Sequence, residues 1–134
     1  MTGRILIVDD DRSMCEALEA GLVPKGFEVR WKTSAVEALD LLDKLEIDVV
    51  LTDITMRGMD GLELCERIGA NRPDVPVIVI TAFGSLDTAI AAMRAKAYDF
   101  ITKPVKIDVL ALALARAVQH RTLREEVKRL RRLV

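Results

Sequence analysis

The sequence predicts an α/β protein built on five parallel strands in one sheet, with helices on both faces. Three observations lead there. Short β-rich runs alternate strictly with amphipathic helical patterns. Several of those runs, RILIV at Arg4–Val8 among them, are continuously apolar, as strands covered on both faces must be. The chain of 134 residues is 51% hydrophobic, enough for one core without disulfide or metal staples.

Each element has its own signal. After the Arg4–Val8 strand a helix is expected from Arg12, with Asp11 as N-cap and Met14, Leu18 and Leu22 on one face. Pro24 and Gly26 stop it, and Phe27 to Trp31 reads as the second strand. Ser34 caps a helix through Leu45 whose expected stripe is Val36, Leu39, Leu42 and Leu45. Val49 to Thr52 is the third strand, and a helix over Gly61 to Ala70 is closed by Pro73. Val77 to Thr81 is the fourth strand, Ser85 to Ala95 the fourth helix, and Asp99 to Thr102 the fifth strand. A last helix starts near Lys106 and meets neither Gly nor Pro up to Val134.

Composition removes several classes of function. A net charge of −1 with 31% charged residues fits neither disorder nor a polyanion-binding chain. The balance is uneven, since Arg116 to Val134 holds seven basic and two acidic residues, a net +5, and leaves −6 on residues 1 to 115. Cys15 and Cys65 are far apart and His120 is the only histidine, so neither a zinc site nor a Cys-His pair is expected. Both cysteines sit in helical patterns beside apolar neighbours and read as small core residues. No signal peptide and no apolar run of membrane-spanning length is visible, so a cytoplasmic protein without membrane contact is expected.

The residues that carry chemistry stand at predicted strand ends. Asp9, Asp10 and Asp11 follow strand one, Asp53 strand three, Thr81 strand four, and Lys103-Pro104 strand five. Right-handed crossovers put all four ends on one rim of a parallel sheet. Carboxylates gathered there repel one another unless a cation lies between them, and oxygen-only ligands suit a hard ion such as Mg²⁺. Lys103 and Thr81 opposite that cation leave room for a phosphoryl group, and a central carboxylate can act as nucleophile.

VDDD after strand one, D-I-T-M-R-G-M-D-G after strand three, T-A after strand four and Y-D-F-I-T-K-P at strand five resemble the receiver domain of bacterial two-component response regulators. The resemblance covers residues 4 to 120. It implies a flavodoxin-like fold with strand order 2-1-3-4-5 and a regulatory phosphoacceptor, not an enzyme, that assists its own phosphorylation and dephosphorylation. A sensor histidine kinase would be the donor and Asp53 the acceptor. Mg²⁺ would be held by Asp10 directly, Asp9 through water, Asp53 and the Thr55 carbonyl. Thr81 would be the switch hydroxyl, Lys103 the phosphoryl-binding cation across a cis bond to Pro104, and Phe100 the aromatic whose rotamer follows phosphorylation. Three positions depart from the pattern. Arg57 replaces a usual Pro, Lys96 stands where Gly is common, and Val105 where Phe is frequent.

The start of helix four, T-A-F-G-S-L-D-T-A-I, together with Tyr98 and Phe100, is most similar to receivers of NtrC-like enhancer-binding transcription activators. That resemblance implies ATPase and DNA-binding output modules in the same full-length protein. Arg116, His120, Leu123, Val127, Leu130 and Val134 are spaced 4, 3, 4, 3, 4, the step of a coiled-coil seam. The expected organisation is a receiver over residues 1–120 and a helical linker over 121–134 that makes a homodimer through Leu123, Val127, Leu130 and Val134. The pattern has no C-cap and reads as a piece of a longer protein. Glu125 and Glu126 interrupt the basic run and no recognition motif accompanies it, so direct nucleic-acid contact is not expected.

Other functions fit less well. A haloacid-dehalogenase-type phosphatase needs an acid two residues after the nucleophile, where this chain has Thr55. A nucleotide or flavin module needs a phosphate loop after strand one, where three aspartates would repel an anion. A stand-alone chemotaxis-type receiver is the main alternative, and the long last helix argues against it.

Overall fold

The computed structural model describes residues 2–82 and 86–134. The elements run β1 (Gly3–Val8), α1 (Arg12–Leu22), β2 (Phe27–Lys32), α2 (Ala35–Lys44), β3 (Val49–Asp53), α3 (Gly61–Asn71), β4 (Val77–Thr81), α4 (Leu86–Arg94), β5 (Asp99–Thr102) and α5 (Ile107–Arg132). All pairings are parallel and the order is β2-β1-β3-β4-β5, as expected. The predicted fourth-helix start at Ser85 lies outside the described residues.

Strand alternation divides the core between the two faces. Leu6, Val8, Val50, Val77 and Val79 point to the side covered by α2, α3 and α4. Ile5, Ile7, Val49, Leu51, Ile78 and Ile80 point to the side covered by α1 and α5. Both faces are dry, which is why these strands are apolar without a polar alternate. Cys15 and Cys65 are buried in the two layers, and burial raises their thiols to about 12 and about 11.

Local signals place most helix ends. The Asp11 side chain accepts from the amides of Ser13 and Met14, Ser34 from Glu37 and Asp60 from Glu63, satisfying first-turn donors that have no helical partner. After α1 a short 3-10 turn over Val23–Lys25 ends at Gly26, whose φ of +104° favours glycine.

The stripe expected on α2 is rotated. Ala35, Ala38 and Leu42 are buried, whereas Val36 is 66% exposed and Leu39 and Leu45 only half-buried. Alanines let the helix backbone approach the sheet closely, and Val36, one residue round from Ala35, falls outside the contact. In α1, Cys15 joins Leu18 and Leu22 in the core, and Met14 lies at its border. In α5, Leu110, Ala111, Ala113, Leu114 and Ala117 pack on the body, and from Thr122 onward every residue is exposed.

Candidate functional site

The parallel register brings the predicted residues to one rim. Asp53 ends β3 beside Ile80, one residue short of Thr81 at the end of β4. Thr81 pairs with Thr102, and the Lys103 amide donates to the Thr81 carbonyl at 2.8 Å. The Lys103-Pro104 bond is cis, as the resemblance implied.

Asp53 is 7% exposed and its two oxygens have different partners. Lys103 Nζ donates to Oδ2 at 2.9 Å, and the Thr55 amide donates to Oδ1 at 3.0 Å. The hydrogen bond that the Lys103 ammonium donates to Asp53 holds the lysine pKa above its ordinary value. Asp9 is buried and accepts from the Asp11 amide at 2.9 Å, while its own carbonyl accepts from Cys15 Sγ. Burial, with the Asp53 charge adding to it, pushes the Asp9 carboxyl up to about 6. Two buried carboxylates therefore share one ammonium, an uncompensated negative charge.

Asp10 is exposed on the same rim, and its Oδ2 accepts from the Arg57 amide at 3.0 Å. A proline at 57 has no such donor, so this tether follows from one of the departures noted above. Among the described residues no three His, Cys, Asp or Glu side chains are gathered tightly enough to hold a metal ion. The donor set itself fits a hard divalent cation: every candidate ligand is an oxygen, and the buried Asp9 lacks a cation of its own.

Thr81 is buried at the β4 end, next to the rim. Phe100 is half-buried against the core layer of α2, α3 and α4. On its outer side it borders a groove of about 450 Å³ shared with Ile101, Lys106, Val109 and Leu112. Lys96 has φ +65°, so the departure from Gly puts a side chain on a left-handed backbone. Val105 packs at the border of the layer formed by α1 and α5.

Three features escape the sequence reading. The Arg57 tether uses a backbone amide, which no residue-type pattern reveals. Gly61 is needed for space, because a Cβ there would lie 2.0 Å from the Asp53 carbonyl oxygen; the D-G pair in the motif was its signal. Arg121, assigned to the linker, is only 12% exposed and makes ion pairs with Asp48, Asp74 and Glu46 at the opposite edge of the sheet. Leu123, Val127 and Leu130 are 58%, 45% and 50% exposed along the free part of α5, with Val134 fully exposed beyond its end. His120, at the upper end of that line, rests its ring 5.1 Å from the Tyr98 ring of the body.

A doubly wound sheet whose rim holds a buried aspartate paired with a half-buried lysine, with further aspartates beside it, is the layout of a flavodoxin-like protein with an acidic rim. The chain matches the model of the response regulator receiver domain over residues 5–115, and it belongs to that family. It is 40% identical to the transcriptional regulatory protein ZraR of Klebsiella oxytoca, over 90% of this chain and 27% of that protein. It is 41% identical to the C4-dicarboxylate transport transcriptional regulatory protein DctD of Rhizobium meliloti, over 96% of this chain and 28% of that protein. The crystal structure of NtrX from Brucella abortus superposes with a TM-score of 0.89 at 37% identity, covering 100% of this chain and 31% of that one. These relatives bear out the likeness to NtrC-like regulators, and the chain spans under a third of their length. No helix of the described residues is long and apolar enough to cross a membrane.

Proposed function

We propose that this chain is a phosphorylation-dependent switch whose Asp53 accepts a phosphoryl group from a sensor histidine kinase. The observation that carries the reading is the 2.9 Å contact of Lys103 Nζ with the buried Asp53 carboxylate, beside a second buried acid, Asp9. An Asp53 oxygen forms the new O–P bond as the N–P bond of the donor phosphohistidine breaks, and the electron pair of that bond returns to the imidazole. Lys103 turns from the carboxylate to a phosphoryl oxygen, and Thr81 donates to another. The Thr55 amide keeps Asp53 oriented throughout. Asp9, Asp10, Asp53 and the Thr55 carbonyl would hold Mg²⁺, which neutralises charge developing on the phosphoryl oxygens.

The added group carries a charge of about −2 at pH 7. Drawing Thr81 towards it makes room for Phe100 and alters the groove between β5 and α5, a two-state population shift. In the full-length protein that shift would act in the cytoplasm on attached ATPase and DNA-binding modules. The α5 extension would pair two chains. Val127 and Val134 alternate with Leu123 and Leu130, the β-branched and γ-branched combination that favours two parallel strands. Glu126 and Arg131 flank the seam with opposite charges suited to pairing across a parallel dimer.

The test is incubation with acetyl phosphate and Mg²⁺, followed by intact-mass measurement. One alkali- and hydroxylamine-labile phosphoryl group is expected on the native chain and none on Asp53→Asn. An unmodified native chain, or a phosphorylated Asp53→Asn, would reject the assignment.

A further inference from the structure

Past Val118, α5 leaves the hydrophobic core, yet it remains bound to the body as far as Arg121. Arg121 Nη1 donates to Asp48 Oδ1 at 2.9 Å, and Nη2 donates to Asp74 Oδ2 at 3.1 Å and to Glu46 Oε2 at 3.5 Å. Two of these acids are themselves held. The Arg4 amide and Nε donate to Asp48 Oδ2 at 2.8 and 3.2 Å. Arg72 forks onto Asp74 at 3.1 Å through Nε and Nη2, and its Nη1 donates to the Leu42 carbonyl at 3.0 Å.

The result is an alternating chain, Arg4–Asp48–Arg121–Asp74–Arg72. It runs across the N-terminal ends of β1, β3 and β4 and on to the last turn of α2. A planar guanidinium holds its donors in fixed directions towards these carboxylates, whereas the donors of an ammonium rotate. Asp48 and Asp74 side chains are 11% and 19% exposed, so these pairs are screened less than ordinary surface pairs. Among the described residues the buried Arg121 Nε has no hydrogen-bond partner, a desolvation cost that a surface arginine with free rotamers would avoid. The acids offset that cost by fixing the side chain.

We infer that Arg121 is a positioning residue that fixes the direction in which the α5 extension leaves the receiver, by tying the helix to the rigid central strands. The tie sits on the sheet edge opposite Asp53, and among the described residues none of its hydrogen bonds reaches α4 or β5. The face bordered by Phe100 can therefore change without loosening the arm, and the arm moves with the body as one piece. Beyond Arg121 no side chain of the extension makes a hydrogen bond or ion pair to the body among the described residues, so the ion network, beside the His120 ring on Tyr98, is the last hold on the helix before Leu123. The role of that direction in joining two chains rests on the dimer reading above; the clamp lies within one protomer and is tested within one.

Nitroxide labels at Glu66→Cys on α3 and Arg132→Cys at the end of α5 read the body-to-arm distance by pulsed electron resonance. Labelled protein is diluted into excess unlabelled chain so that only distances within a protomer are seen; the buried native thiols stay unlabelled. The expected result is one narrow distribution that at least doubles in width with Arg121→Met, while acetyl phosphate still modifies Asp53 to the native extent. Asp74→Asn, which removes one ligand and keeps the Asp48 contact, should broaden it to a smaller degree and serves if Arg121→Met does not fold. A width unchanged by these substitutions would overturn the proposal, because a merely stabilising arginine would lower the melting temperature and leave the arm's direction alone. Sedimentation of the same samples separates the two readings: a monomeric native chain with the expected broadening removes the dimer and leaves the clamp.

Discussion

At single residues, charge is managed differently at the two sheet edges. On the Asp53 rim burial, with the Asp53 charge adding to it, holds Asp9 up at about 6. On the opposite edge the compensation is ample, and the Arg72 fork, helped by Arg121, brings Asp74 down from 3.8 to about 2. A carboxyl whose pKa is lowered by folding adds stability above its unfolded value and loses it as pH falls through the folded value. Asp74→Asn should therefore cost about 1–2 kcal/mol at pH 7, with the deficit vanishing as pH falls from about 4 to 2. Urea titrations across that range check it, and a deficit independent of pH would refute the assignment. Gly61 belongs to the same scale. With a Cβ 2.0 Å from the Asp53 carbonyl oxygen, Gly61→Ala must move the α3 start or the β3 end. A loss of about 1–3 kcal/mol is expected by denaturation, with slower phosphorylation of Asp53 because its backbone shifts.

Among the elements, the turn between α4 and β5 carries the clearest strain. Lys96 adopts φ +65° between two buried alanines, Ala95 and Ala97, where the Lys96 and Ala97 amides donate to the Met93 and Ala92 carbonyls and close the end of α4. Lys96→Gly should stabilise the protein by about 1 kcal/mol, raising its melting temperature by about 3–5 °C. An unchanged or lower melting temperature by calorimetry would show that the lysine side chain offsets its backbone cost. The same scale explains α2. Its expected stripe followed the large residues, and the fold chose Ala35 and Ala38, because close approach of helix to sheet rewards small side chains.

For the whole molecule, α5 joins two regimes: a buried segment up to Ala117 and an exposed one from Thr122. If the exposed seam pairs two chains, sedimentation should find dimers for the full chain and monomers for Leu130→Glu or for a chain ending after Thr122. Dimers that survive both changes would place the interface on the globular body. The cut after Thr122 keeps the Arg121 network and the Val118 methyl that fills the space beside Gly3, so the body should melt as the full chain does.

Sequence by itself determined the alternation of strands and helices, the caps at Asp11 and Ser34, and the rim of Asp9, Asp10, Asp53, Thr81 and Lys103. Each is carried by a local pattern or by the rule that parallel strand ends share an edge. It also held the spacing of the exposed seam. Tertiary structure alone decided which face of α2 is buried, which oxygen of Asp53 meets Lys103, and that the Arg121 side chain meets Asp48, Asp74 and Glu46. Those outcomes depend on distances between segments tens of residues apart, 73 in the case of Arg121 and Asp48. No local periodicity carries that information, since a charged residue on a helix reads as solvated until the acids facing it are in place.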